Sequence, residues 1–174
     1  VVLSRGLGDV YKRQTIFCPA FPRYTVTLVD GILYLGKTPL GESFKRDDPV
    51  TPMTNSNLVE VLQTQSQRKV GLISREILSQ GPDAIERHIQ DGDATSFYIT
   101  DAADDEDMAR IADFALDWPL TTGADALPVF LARAWRQRDN SIRVTEAKTH
   151  LSASPGYEAF IAGSCAAATL SQVA

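Results

Sequence analysis

The sequence predicts an α/β fold: a parallel, Rossmann-like sheet flanked by helices, with a β-hairpin inserted early in the chain. Three observations predict it. From Lys69 onward, short apolar runs alternate with stretches of helical period, and repeated strand–helix–strand units imply right-handed crossovers and parallel pairing. Before Lys69, two β-rich runs flank Asp30-Gly31, a dipeptide that accepts the positive φ of a tight hairpin turn. Finally, 174 residues with 44% hydrophobic and 22% charged side chains suit one ordinary globular domain able to bury a core.

Residues 1–14 (VVLSRGLGDVYKRQ) have no initiating Met, no apolar signal-peptide region and no period of two or 3.6. Gly8 to Gln14 can be back-translated into the transposase mosaic end of shotgun sequencing libraries. The segment is therefore set aside as non-native and expected to be disordered or loosely attached. Thr15 to Ala20 reads as a buried strand end closed by Pro19 and Pro22. Thr25–Asp30 and Ile32–Leu35 form the hairpin, and a proline-rich loop follows from Lys37 to Thr54. Asn55 offers a cap for a helix carrying Leu58, Val59 and Leu62.

Val70–Ile73 is the next strand, followed by helical stretches around Ile77 and from Pro82 to Gln90. Phe97–Thr100 is a strand, and Asp104 opens a helix with Met108, Ile111, Ala112 and Ala115 on one face. Pro119–Thr122 is a third strand of this series and Ala124–Trp135 a helix in spite of Pro128. After a polar linker, Phe160–Ala162 is a fourth.

Composition excludes several classes. A net charge of −5 and a pI near 5.0 leave no basic footprint for nucleic acid. The apolar runs fall far short of the roughly 20 residues a membrane helix needs. Cys18 and Cys165 form no CxxC, which argues against a disulfide scaffold or zinc knuckle. A cytoplasmic chain without nucleic-acid or membrane partners is expected.

In parallel sheets, ligands gather at the carboxyl ends of strands. Asp101 directly follows a strand and offers a carboxylate for a sugar hydroxyl or a metal ion. Asp104 to Asp107 read instead as first-turn acids that favour the helix dipole. Thr122-Gly123 is either a backbone cradle for an anion or a βα turn that needs glycine. Gly163-Ser164-Cys165 carries the same two readings, and Cys165 is either an activated thiol or a small packed residue. His88 and His150 have no third ligand at sensible spacing, so no metal site is assigned. Walker-type GxxxxGK[ST], GxGxxG and GxSxG motifs are all absent.

Several segments together resemble the four-carbon acid sugar kinases. They are Cys18-Pro19-Ala20-Phe21-Pro22, Asp30-Gly31 to Leu35, and Pro39-Leu40-Gly41-Glu42-Ser43. The most specific is Asp48 to Val59 (DPVTPMTNSNLV), similar to the HPLTPMTDSNLV of the 3-oxo-tetronate kinase branch. Asp101, Thr122-Gly123 and Gly163-Ser164-Cys165 with Thr169 and Gln172 continue the resemblance to the chain's end.

The resemblance implies an enzyme that moves the γ-phosphate of ATP, with Mg²⁺, to the terminal hydroxyl of a four-carbon sugar acid. It implies a partial substrate-binding domain over residues 15–156 and the start of a nucleotide-binding domain over 157–174. Segments resembling the family's opening ADDFTGA and its FDSTPTGNIG loop are absent, which implies a fragment cut at both ends and inactive alone. By the resemblance Gly163 and Ser164 contact the nucleotide, and Asp101, Thr122 and Gly123 the substrate; the catalytic base stays unassigned.

Two departures stand out. The family's TGGSGLA loop reads Thr122-Gly123-Ala124-Asp125-Ala126 here, and its NGR after PAFP reads Tyr24-Thr25-Val26, losing an arginine suited to a carboxylate. Arg46 lies near enough in sequence to compensate. The alternative to a kinase fragment is a non-catalytic α/β small-molecule-binding or regulatory domain.

Overall fold

The computed structural model describes residues 14–92, 95–141, 163 and 167–173. The chain divides into two units, Val1–Ile142 and Arg143–Ala174. In the first, β1 (Thr15–Cys18), β5 (Lys69–Ile73), β6 (Thr95–Thr100) and β7 (Thr121–Gly123) form a parallel sheet in the order β5-β6-β1-β7. β2 (Val26–Val29), β3 (Ile32–Leu35) and β4 (Thr38–Pro39) form a separate antiparallel sheet inserted between β1 and β5. The expected α/β class, parallel pairing and inserted hairpin are all present, with β4 as an added third strand.

Register sorts the side chains of the parallel sheet onto two faces. Leu72, Ile99, Phe17 and Thr122 are paired neighbours along one row, and Gly71, Tyr98, Ile16 and Thr121 along the next. Because successive residues alternate faces, these rows look opposite ways. Cys18, on the face with Ile16 and Tyr98, sends its Sγ to Met108 Sδ at 3.7 Å. That contact sets α4 (Asp105–Ala115) on this face, where Met108, Ile111, Ala112 and Ala115 are all buried. A Cβ at Gly71 would stand 2.9 Å from the Tyr98 ring, so glycine makes room for that large core residue. α1 (Leu58–Thr64) packs against β5 and β6.

The remaining helices are α2 (Arg75–Ser79), α3 (Pro82–Asp91) and α5 (Ala126–Arg138). Pro128 sits in the first turn of α5, where its missing N–H has no helical partner to lose. α1 is capped by Asn57 rather than Asn55: the Asn57 side chain accepts from Val59 and Glu60 N–H, and Asn55 Oδ1 in turn accepts from Asn57 N–H. β7 begins at Thr121, two residues after the expected Pro119. The strand expected at Phe160–Ala162 and all of residues 1–13 lie outside the described residues. Gln14, the last residue set aside as non-native, is buried, and its Nε2 donates to Thr95 O at 3.2 Å. In the second unit, α6 (Ala167–Val173) is helical.

Candidate functional site

The carboxyl edge of the parallel sheet is where the chemistry-bearing residues collect. Asp101 follows β6 and is fully buried. Its Oδ2 accepts from Asp30 N–H at 2.7 Å and its Oδ1 from Gly31 N–H at 3.0 Å. Those two residues have φ of 52° and 75°, the paired positive values of a two-residue hairpin turn. Leu28 and Ala102 exchange backbone hydrogen bonds beside them at 2.9 and 3.0 Å. Asp101 thus latches the hairpin onto the tip of β6. Burial pushes its carboxyl above the usual range, and the Gly31 and Asp30 N–H groups pull it partly back.

The acids that open α4 also have specific partners. Asp104 caps the helix by accepting from Asp107 N–H at 2.9 Å. Asp107 is buried and accepts from Ala103 N–H at 3.0 Å and from Arg75 Nε, while Arg75 Nη2 reaches Asp104 at 2.7 Å. Asp107 and Arg75 tie α2 to the start of α4, beyond the dipole role the sequence suggested.

Cys18 is buried and its thiol is pushed up to about 12, chiefly by burial, with Asp101 and Asp107 adding to it and an Ala20 backbone hydrogen bond opposing it. An apolar packing role follows, since the thiolate is the nucleophile. His88 Nε2 lies 2.8 Å from Leu72 O, and the ring meets Tyr98 edge-on. Among the described residues no three His, Cys, Asp or Glu side chains are grouped to hold a metal ion.

A cavity of about 390 Å³ opens between α1 and the ends of β1 and β7. Cys18, Pro19, Thr122 and Gly123 form its rim side and Leu58 and Leu62 its helix side, with Gln65 and Thr122 the polar side chains of a mostly apolar lining. At Gly123 a Cβ would stand 2.6 Å from Cys18 O, the same oxygen that accepts from Ala124 N–H at 3.2 Å. Only glycine lets β7 approach β1 this closely. Thr122 and Gly123 are therefore brought to the cavity, whereas Asp101 does not line it.

Gly163 is exposed, with open space where a Cβ would stand. Ser164, Cys165 and His150 lie outside the described residues. A second, smaller cavity takes in Arg23 and Arg133, which the sequence analysis passed over. Nothing local marks them, because they are 110 positions apart in the chain.

A parallel sheet with an inserted antiparallel sheet and cavities at its carboxyl edge defines an α/β domain. The chain belongs to the family described as the sugar-binding N-terminal domain, which matches residues 2–131. It is 36% identical over 162 residues to a 3-oxo-tetronate kinase of Pseudomonas savastanoi, covering 92% of this chain and 37% of that protein. A 3-oxo-tetronate kinase of Pseudomonas fluorescens is 36% identical over 173 residues, covering 98% and 39%, and one of Escherichia coli is 32% identical over 164, covering 92% and 41%.

The chain thus spans about two fifths of the length of these relatives. The resemblance read from Asp48–Val59 is borne out. Among solved structures, a Haemophilus influenzae protein of the DUF1537 family matches with TM-score 0.68 at 26% identity, covering 74% of this chain and 32% of that one. A Bordetella bronchiseptica protein of the same family, crystallised with bound citrate as a domain-swapped dimer, matches with TM-score 0.59 at 30% identity, covering 74% and 31%. No described helix is long and apolar enough to cross a membrane.

Proposed function

We propose that this chain is the sugar-acid-binding part of a cytoplasmic ATP-dependent kinase that phosphorylates the terminal hydroxyl of a four-carbon sugar acid, in the manner of the 3-oxo-tetronate kinases. The observation that carries the reading is the cavity at the carboxyl ends of β1 and β7, in a domain whose family is described as sugar-binding. Citrate bound to the Bordetella relative supports a small hydroxy acid as the class of ligand.

Within this reading Thr122 and Gly123 face the substrate, with apolar side chains behind them excluding water. Asp101 acts behind the rim as a positioning residue, because both its oxygens already accept backbone N–H groups. Gly163 and Ser164 belong to the nucleotide side. The described residues are assigned no step in phosphoryl transfer. Transfer of this kind depends on positioning and charge stabilisation by groups on both sides of the phosphate.

The test is ADP release from Mg-ATP in the presence of threonate, erythronate or 3-oxo-tetronate. It is run on this 174-residue chain and on the product of its source locus read through on both sides. Turnover by the longer product and none by the chain alone is expected. A longer product that releases ADP with none of the three acids would overturn the reading.

A further inference from the structure

Among the described residues β5 ends the parallel sheet, with β6 on one side of it only. On the β6 side, Ile73 O accepts from Asp101 N–H at 3.0 Å. The backbone groups of successive strand residues point to opposite edges. Gly71 and Ile73 therefore serve β6, and Val70 and Leu72 turn their N–H and C=O groups outward. An outward row of this kind is a template for pairing with another strand.

Two side chains already occupy that row, one from each face of the sheet. From α1, Gln63 Oε1 accepts from Val70 N–H at 3.0 Å, while its Nε2 donates to Ser66 O and Arg68 O at 3.1 and 3.2 Å. From α3, His88 Nε2 lies 2.8 Å from Leu72 O. A carbonyl can only accept, so this nitrogen carries the hydrogen. The His88 ring is held edge-on against Tyr98. Leu58 and Leu62 of α1 share a cavity with Phe17 and Ile99, which point the opposite way from Tyr98.

The two occupied groups are the ones a second copy would need. When two β5 strands meet about a two-fold axis at Gly71, Val70 of one stands opposite Leu72 of the other. Opposite residues of this kind in an antiparallel pair exchange both hydrogen bonds, so Val70 N–H would donate to Leu72 O across the axis. Gly71 would face Gly71 at the closer, non-hydrogen-bonded position, with no side chain to collide. Such a pairing is self-complementary and closes as a dimer.

We propose that Gln63 and His88 form a two-sided clamp that holds the edge of β5 shut against β5 of a second copy. The clamp is independent of the sugar-acid reading, since neither residue lines the cavity at the ends of β1 and β7.

Light scattering and amide exchange of the 174-residue chain test this, with Q63L and H88F as variants. Both keep side-chain bulk and remove, respectively, the acceptor and the donor. The wild type is expected to keep one mass as concentration rises, and Q63L/H88F to double in mass over the same range. In dilute solution Val70 N–H of the variant should exchange about tenfold faster or more, having lost its acceptor, and slow again as the dimer forms. Amides of β1, inside the sheet, should keep their rates, which separates an opened edge from a general loss of stability.

A Q63L/H88F chain that exposes Val70 yet keeps one mass would overturn the proposal. A mass increase with Val70 still exchanging fast would place the contact elsewhere and overturn it too, as would a wild type that already pairs through Val70. Where H88F costs the fold, Q63L decides alone, because Gln63 is exposed. Q63L is expected to gain mass at high concentration, and no gain would count against the clamp.

Discussion

Thr25 ends the Pro22–Tyr24 turn with φ of 58°, a left-handed conformation that is costly for a β-branched residue. T25G is therefore expected to stabilise the chain by about 0.5–1 kcal/mol, less than the full steric relief because glycine also gains freedom when unfolded. Urea unfolding measures it. Cys18 gives a pH-dependent counterpart. With its thiol moved from 9.0 to about 12, the unfolded chain ionises first, so stability is intact below pH 9.0 and falls as pH rises above it. The slope is about 1.4 kcal/mol per pH unit, and C18A is expected to remove it. Native Cys18 should also resist alkylation at neutral pH.

At the scale of elements, the hairpin stands on one carboxylate. D101N keeps the shape but turns one acceptor into a donor facing a backbone N–H. It is expected to cost about 1–3 kcal/mol and to speed amide exchange at Asp30 and Gly31. Because burial raises the Asp101 pKa, its ionisation opposes folding as pH rises above the ordinary Asp range, and D101N should flatten that dependence. G123A places a Cβ against Cys18 O and is expected to cost about 1–3 kcal/mol by forcing β7 away from β1, read by thermal unfolding.

Local signals carried much of this scale. Asp30-Gly31 marked its own turn because turn chemistry resides in the two residues that adopt it. The Met108, Ile111, Ala112 and Ala115 stripe marked the buried face of α4. Asn55 and Asn57 are chemically identical caps, so only the formed hydrogen bonds separate them. Asp101 looked like a ligand at a strand tip. What occupies its oxygens is a turn 70 residues earlier.

For the whole molecule, the chain alone is expected to bind a sugar acid without releasing ADP from ATP, the outcome that separates substrate capture from phosphoryl transfer. Sequence by itself determined the α/β class, the inserted hairpin, the placement of most helices and the family. Each of these depends on periodicity, turn chemistry or a contiguous motif such as DPVTPMTNSNLV, which are properties of neighbouring residues. Tertiary structure alone decided that β1 stands between β6 and β7, that Asp101 serves the hairpin, and that Arg23 and Arg133 share a cavity. The physical reason is that parallel pairing joins strands through long crossovers. It brings together residues roughly a hundred positions apart, whose meeting no local pattern records.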